Sequence, residues 1–176
     1  MEASLDGIKE LREQTSCGVI DCKKALEEAK GDIAKAKVLL QKRGLEIAAK
    51  KGSRLAKEGR IEGYVHMGNK IAVLVEVNCE TDFVARNEKF CAFTKDLAMH
   101  IAAVNPKYIK EEDVPEDVLV EAKDKEAFIK ESCLLQQPFV KDASRTIQDY
   151  LNNMISKIGE NILIGRFIRY KVGESE

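Results

Sequence analysis

A hydroxyl, a carboxylate and a large aromatic ring stand side by side at Thr81, Asp82 and Phe83. They follow a run, residues 71–77, that is apolar except at Glu76, and they precede a helical pattern, so they are predicted at a strand-to-helix corner. In one interpretation Thr81 or Asp82 caps the next helix and Phe83 fills the core. In the other the corner protrudes and recognises another protein. Composition alone favours the first.

The sequence lacks three common motifs of enzymes. It has no Gly-x-x-x-x-Gly-Lys phosphate loop, no Gly-x-Ser-x-Gly and no His-Glu-x-x-His. A nucleophile pair of Cys79 and His66 across a hairpin is a weak alternative, since nothing in the sequence would orient either group. His100 lies beside an apolar stripe, without a second His or Cys at metal spacing, and is predicted to be a core or rim residue. We therefore expect no catalytic residues, no metal site and no cofactor.

A β-hairpin and a helix are predicted to position the corner. Apolar and polar residues alternate over 61–67, Gly68-Asn69 is a two-residue turn signal, and the second strand is apolar on both faces. That strand should be central in its sheet. The helix after the corner ends before Pro106, and its apolar stripe consists of Phe90, Phe93, Leu97, Ile101 and Val104.

Residues 4–44 predict three short helices with a small core. Gly18 separates the first two, Asp21 is a plausible N-cap of the second, Asp32 caps the third, and Gly44 ends it. Residues 45–59 have helical propensity and four basic side chains: Lys50, Lys51, Arg54 and Lys57. A solvated linker helix is the favoured interpretation of this basic strip, and contact with an acidic partner or RNA is the alternative.

The C-terminal part predicts mixed structure. Residues 107–131 are acidic with weak helical signals. Residues 134–140 predict a strand, and Pro138 places that strand at the edge of a sheet, because proline is not tolerated in a central strand. Thr146 and Asp149 have capping-box spacing at the start of a helix that Gly159 ends. The strand after it has one apolar face: Ile162, Ile164, Ile168 and Val172. The predicted class is therefore α+β, with a three-helix domain at 1–55 and a core of a small antiparallel sheet packed with helices at 56–176.

Charge and cysteine content narrow the function classes. Residues 1–60 carry 14 Lys and Arg against 10 Asp and Glu, a net of +4, and residues 61–176 carry 15 against 20, a net of −5. This basic excess is small for a dedicated nucleic-acid binder. Five cysteines without a Cys-x-x-Cys pair indicate reduced thiols. No apolar run approaches the ~20 residues of a membrane helix and no signal-peptide pattern is present, so we expect a soluble, cytoplasmic protein without membrane or direct DNA contacts.

Two segments resemble the signatures of the elongation factor Ts family, the nucleotide-exchange factors of bacterial and organellar translation. The first is Glu76-Val77-Asn78-Cys79-Glu80-Thr81-Asp82-Phe83-Val84-Ala85-Arg86. The second is Leu11-Arg12-Glu13-Gln14-Thr15-Ser16-Cys17-Gly18-Val19-Ile20-Asp21-Cys22-Lys23-Lys24-Ala25-Leu26. The resemblance extends from about Ile8 to Gly173.

The resemblance implies a ubiquitin-associated-like three-helix domain that docks on a helix of a partner GTPase, elongation factor Tu. The implied contacts are Leu11, Val19 and Ile20, with Lys23 at the rim. From the residues alone, Val19 and Ile20 could equally belong to the core. The family usually has Gly-Ala where Ser16-Cys17 stands here.

The resemblance also implies a mechanism: binding to the GDP form, displacement of Mg²⁺, release of GDP and rebinding of GTP. Phe83 would be the wedge, Asp82 would make polar contacts, and Thr81 and Val84 would shape the loop. Short members of the family pair two chains, which implies a homodimer through the core domain. A plain binding module built on the three helices and an RNA-binding protein using the basic strip are the other hypotheses.

Overall fold

A computed structural model describes residues 3–15 and 17–174. Ser16, the first residue of the noted departure from the family pattern, lies outside the described residues. Three helices come first in the chain, and a three-stranded antiparallel sheet combines the hairpin that follows them with the last strand. A second, two-stranded sheet is also present. The predicted α+β class is therefore confirmed. None of the helices in these two ranges is long and apolar enough to cross a bilayer.

Three helices form the head: α1 (Leu5–Thr15), α2 (Val19–Glu28) and α3 (Ile33–Lys51). Asp32 caps α3 as predicted, accepting a hydrogen bond from the Lys35 backbone N–H at 3.0 Å. Two details differ from the predictions. The N-cap of α2 is Gly18 and not Asp21, and α3 runs through Gly44 to Lys51. One glycine costs a helix only about 1 kcal/mol, which the good helix formers around Gly44 offset.

The head has its own small core. Its buried side chains are Ile8, Leu11, Cys22, Ala25, Leu26, Ala29, Ala36 and Leu40. The main core is a separate cluster that the sheet, the helices after it and the segment around Phe139 share. The proposed boundary near residue 55 lies after the end of α3, but α3 itself contributes to both clusters: Leu40 belongs to the head core, and Ala48 packs against the main core.

The main sheet contains β1 (Glu58–Val65), β2 (Ile71–Cys79) and β5 (Ile162–Lys171) in the order β1-β2-β5. The predicted hairpin and the central place of its second strand are confirmed. One face of β2 buries Val73, Val75 and Val77 in the main core.

A bulge in β5 changes which side chains face the core. Glu76 pairs with Arg166 but the next residue, Val77, pairs with Ile164, so Gly165 is an extra residue in β5. A shift of one residue moves all later side chains to the other face. The predicted single apolar face of β5 is therefore wrong: Ile162 and Ile164 are buried, whereas Ile168 and Val172 are exposed. A Cβ on Gly165 would lie 2.7 Å from the Asn78 Oδ1, so a larger residue here would require the Asn78 side chain to move.

The other face of the sheet, which we name the outer face, is apolar and open. The register places the outer-face residues beside one another across the three strands. Its large apolar side chains, each between 41% and 64% exposed, are Ile61, Val65, Leu74, Leu163, Ile168 and Tyr170.

Two long helices cover the inner face: α5 (Glu88–Val104) and α8 (Ile147–Ile158). Between the sheet and α5 lies a short helix, α4 (Asp82–Ala85). The predicted capping box of α8 is confirmed, with Thr146 Oγ1 accepting from the Asp149 N–H at 3.1 Å. Gly159 ends α8 with a φ of +84°.

The acidic segment contains two short helices, α6 (Glu116–Glu121) and α7 (Lys125–Ser132). The predicted edge strand at 134–140 is only partly correct. Residues Leu134–Gln136 form a 3₁₀ turn, and only Pro138–Phe139 (β3) pair, with β4 (Asp142–Thr146), in the two-stranded sheet. Leu134 and Leu135 are buried in the main core, which a turn achieves without strand pairing.

His100 is a core residue, as predicted. It is fully buried on α5; its Nε2 lies 3.0 Å from the Gln137 Oε1, and its Nδ1 accepts a hydrogen bond from the Val140 N–H at 3.2 Å. Both ring nitrogens are therefore satisfied in the neutral form, with the proton on Nε2.

We expect His100 to make stability fall in mild acid. Burial lowers the pKa of His100 below its ordinary value of 6.5, although the bond to Gln137 opposes this effect. The unfolded chain then binds a proton more tightly than the folded one, so the unfolding free energy decreases as pH drops below about 6.5. Urea unfolding at pH 7.5, 6.5 and 5.5 measures this slope.

His66 is the matched control, since it is the only other histidine of the chain and is exposed. His100→Gln should flatten the pH dependence between 7.5 and 5.5, whereas His66→Gln should leave it unchanged. An unchanged slope in His100→Gln would contradict the assignment.

Candidate functional site

The corner between β2 and α5 exposes its aromatic side chain. Thr81 caps α4, with its Oγ1 accepting from the Val84 N–H at 3.4 Å. Val84 and Ala85 pack against the main core, whereas Phe83 is 82% exposed. Thr81 is therefore an N-cap, but of the short α4 and not of α5, which Asn87 caps. The idea that Phe83 fills the core is wrong. A single turn cannot bury Phe83 while Val84 and Ala85 occupy its inner side.

Glu160, in the turn between α8 and β5, holds the corner in place. Its carboxylate accepts hydrogen bonds from the backbone N–H groups of Glu80 and Thr81, at 3.1 and 3.0 Å, and from the Thr81 hydroxyl at 2.6 Å. In return, the Glu80 carboxylate accepts from the Asn161 N–H at 2.6 Å. Hydrogen bonds to ionised acceptors are roughly twice as strong as neutral ones. The two segments therefore fix each other's backbone.

The sequence analysis missed Glu80 and Glu160 as positioning residues. They come together because Cys79 pairs with Ile162 at the ends of β2 and β5. That register depends on strand pairing across about 80 residues of chain, and no local pattern in the sequence encodes it. A carboxylate directly after the helix-ending Gly159 was the only available signal.

The basic strip is attached to this corner by two of its four side chains. Lys51 donates a hydrogen bond to the Gly159 carbonyl, and an Arg54 guanidinium nitrogen lies 3.5 Å from the Glu80 carboxylate. The Arg54 carbonyl also accepts from the Asn161 side-chain amide at 2.7 Å. The interpretation as a solvated linker helix is therefore only partly right. Of the four basic side chains in this described part of the chain, only Lys50 and Lys57 are exposed and lack such contacts.

Asp82 and Arg86 form an exposed ion pair beside Phe83. The Arg86 guanidinium lies 2.8 Å from the Asp82 carboxylate, one helical turn away. Such exposed pairs contribute about 0.5 kcal/mol or less. Both side chains can therefore exchange this contact for one with another protein at little cost.

The head presents a second candidate surface at the start of α2. Val19 and Ile20 are 51% and 69% exposed, which excludes the alternative that they are core residues of this chain. Lys23 is exposed one turn later and lies 3.8 Å from Glu27. The predicted partner contact of Leu11 has to be corrected. Leu11 is fully buried in the head core and is not available for direct contact. It lies on the stripe of α1 that faces the other two helices.

The Cys79 and His66 pair is excluded by geometry. Cys79 pairs with Glu58 at one end of the hairpin, whereas His66 follows Val65, which pairs with Ala72 at the other end. Cys79 is fully buried, and burial, followed by the nearby Glu160 charge, raises the pKa of its thiol to about 11. A nucleophile needs the opposite shift. Over residues 3–15 and 17–174, no three His, Cys, Asp or Glu side chains are grouped to hold a metal ion.

Comparison with known proteins gives one consistent result. The sequence profile of the family described as Elongation factor TS matches residues 19–127 and 124–174. Elongation factor Ts of Caldanaerobacter subterraneus is 49% identical, over 97% of this chain and 97% of that protein. The elongation factors Ts of Geotalea uraniireducens and Thermotoga neapolitana are 50% and 46% identical, over 95% and 99% of this chain and 88% and 99% of those proteins. On this similarity, and with the corner and head just described, the chain belongs to the elongation factor Ts family.

Proposed function

We propose that this chain accelerates GDP release from elongation factor Tu by inserting Phe83 into the GTPase. Membership in the family supports its role as a translation elongation factor that exchanges nucleotide and catalyses no bond making or breaking. The observation that supports the mechanism most directly is the 82% exposure of Phe83 on a corner that Glu160 holds. An aromatic residue displayed in this way is a typical interface anchor.

Exchange requires binding energy that depends on the state of the partner. A GTPase holds GDP through its phosphate loop and Mg²⁺, so the exchange factor must bind the nucleotide-free state more tightly than the loaded one. Weakening the binding of GDP to the GTPase by about 1,000-fold needs about 4 kcal/mol of such coupling. The inserted segment has to be rigid, because a flexible loop would change its own conformation and would not displace groups at the nucleotide site.

Each corner residue has a separate role in this proposal. Phe83 is the wedge that separates partner side chains and displaces the Mg²⁺ ligands. Asp82 exchanges its contact with Arg86 for polar contacts in the partner. Thr81 fixes the start of α4, and Val84 anchors its inner side to the main core.

The head supplies a second contact in the proposal. Val19 and Ile20 dock on an apolar strip of a partner helix, and Lys23 meets its acidic rim. This contact holds the complex together and keeps Phe83 near the nucleotide site after each encounter. A head of this kind, of the ubiquitin-associated type, needs no contact with the nucleotide itself.

We also propose that two copies of the chain pair through the outer face of the sheet. Six large apolar side chains lie open on that face, and an exposed apolar patch of this extent usually marks an interface. The face is nearly uncharged at its centre, apart from an ion pair between Glu76 and Arg166 at 2.8 Å. Two such sheets can pack face to face at a separation of about 10 Å.

The test of exchange is the release of a fluorescent GDP analogue from purified elongation factor Tu at fixed Mg²⁺. We expect a large acceleration at substoichiometric amounts of this protein. A folded protein that gives no acceleration would refute the exchange proposal. In that case a plain binding module would be the better description, and a fragment without residues 60–176 would still bind its partner.

Contact with RNA has less support than contact with a GTPase. Lys51 and Arg54, half of the basic strip, are engaged by Gly159 and Glu80. A protein that depended on this strip for binding RNA would lose affinity steeply as salt is raised.

Glu160 offers a test of whether the corner must be held rigidly. Glu160→Gln keeps the size of the side chain but weakens three hydrogen bonds, which costs the corner about 1 to 2 kcal/mol. We expect faster hydrogen exchange at the amides of Glu80 and Thr81, and nucleotide exchange slowed by about 3- to 10-fold. Global unfolding should change little, because the main core is untouched.

Glu121→Gln is the matched control, since Glu121 is exposed on α6 and remote in sequence from the corner. This variant should change neither the amide hydrogen exchange at Glu80 and Thr81 nor the rate of nucleotide exchange. Unaltered nucleotide exchange in Glu160→Gln, together with faster amide exchange, would show that the corner does not need this support.

A further inference from the structure

A cleft of about 320 Å³ lies between the head and α8, and its lining is basic. Four cationic side chains line it, and we name it the basic cleft: Arg12, Arg43, Lys89 and Lys157. Among the described lining residues Asp21 is the only carboxylate. The cleft therefore collects more positive charge than its own lining neutralises.

The cations of the basic cleft are poorly paired. Arg43 lies 2.5 Å from the Glu28 carboxylate. In the described ranges, Arg12, Lys89 and Lys157 have no carboxylate oxygen within the 4.0 Å of a salt bridge. Elsewhere in the described chain, Lys130 has such a partner in Glu126 at 2.8 Å. Unpaired cations that line one cleft repel one another, and an anion bound between them would relieve this repulsion.

Lys157 is exposed to solvent on one side and lies near two other cations. Partial burial lowers its pKa; Cys17 opposes this effect, and the positive charges of Lys89 and Arg145 add to it. An anion among these side chains would reverse the shift, because a nearby negative charge favours the protonated amine.

Gly44 keeps the floor of the cleft clear. It is buried in the middle of α3 and lines the cleft, yet a Cβ at this position would have no heavy atom within 4 Å. Glycine destabilises a helix interior relative to alanine, and no packing contact requires it here. The space above it is open and continues into a second cavity of about 450 Å³, which Gly44 and Lys157 also line.

We propose that the basic cleft binds a small phosphate-bearing anion with at least two negative charges. Guanidinium and ammonium groups together suit phosphate oxygens, which accept several hydrogen bonds at once. The neighbouring cavity leaves room for the rest of such a molecule. It carries charges of both signs, Lys37 and Arg145 beside Asp142 and Asp149, so the uncompensated positive charge is greater in the first cleft.

The probe is inorganic pyrophosphate, titrated into the full-length protein by calorimetry, with sodium sulfate at equal ionic strength as the comparison. We expect saturable 1:1 binding of pyrophosphate, at least about tenfold tighter than any binding of sulfate. Lys157→Met should weaken it by about tenfold or more, as expected for losing one charged hydrogen bond. Lys130→Met, which removes a paired lysine elsewhere, should have no effect.

Gly44 provides an independent pair of variants. Gly44→Leu should fill the cleft and abolish pyrophosphate binding, whereas Gly44→Ala should retain binding and raise the melting temperature. Melting curves of each variant establish that it is folded. These measurements need no partner protein, so the result stands apart from the proposed exchange function.

Three results would overturn the proposal. One is a titration that does not saturate, and another is binding that Lys157→Met and Gly44→Leu leave unchanged. The third is no pyrophosphate binding together with weaker association of both variants with elongation factor Tu, which would assign the cleft to an acidic segment of the partner.

Discussion

Replacing Phe83 with alanine should slow GDP release by about 30-fold while leaving the protein as stable as before. Truncating a buried aromatic anchor costs about 2 kcal/mol or more at an interface, and that free energy corresponds to about 30-fold. Phe83 is 82% exposed in the free chain, so its removal takes no packing away from the core. Stopped-flow release of a fluorescent GDP analogue and a urea unfolding curve together check both parts.

Met67 supplies the control for this experiment. It is 89% exposed at the tip of the hairpin, at the opposite end of β2 from the corner. Met67→Ala removes an equally exposed apolar side chain and should change neither the rate nor the stability. If Phe83→Ala and Met67→Ala release GDP at the rate of the parent protein, the wedge has no part in exchange.

A glutamate in place of Leu74 should separate the proposed homodimer into monomers. Leu74 is the outer-face residue at the centre of the sheet, paired with Gly63 on one side and Ile168 on the other. In a face-to-face dimer the change buries an unpaired charge in each copy. Loss of the apolar contact and this desolvation together should weaken the dimer on the order of 100-fold or more. Sedimentation velocity over a range of protein concentrations measures the shift.

Val120→Glu is the matched control for charge and solubility. Val120 is 74% exposed on α6, away from the sheet, and the same substitution there should leave the association unchanged. A parent protein that sediments as a monomer at all concentrations would remove the dimer from the proposal. A dimer that tolerates Leu74→Glu would place the interface elsewhere.

Local signals in the sequence predicted most of the secondary structure. Asp32 and the pair Thr146 and Asp149 cap their helices as expected, because capping depends on residues three apart. The central strand β2 was also predictable, since a strand that is apolar on both faces has to be covered on both sides. The prediction that Gly44 ends α3 was wrong, because glycine ends many helices but is also tolerated inside them.

Long-range geometry was not predictable from the sequence. The bulge at Gly165 depends on how β5 meets β2, and it reversed the faces assigned to Ile168. Whether Phe83 is buried or exposed depended on which side of α4 the core would cover. The resemblance to the family identified the corner, but only the fold shows that Glu160 holds it and that Leu11 is inaccessible.

The bonds from Glu160 to Thr81 join residues 79 apart in the chain, and this separation has a consequence for synthesis on the ribosome. The helices of the head contact one another within the first 51 residues and can form early. The corner is held only after the turn carrying Glu160 has emerged and β5 has joined the sheet. A nascent chain therefore folds its head long before its corner is fixed. Under the proposed mechanism, an incomplete chain would bind its partner without emptying the nucleotide site.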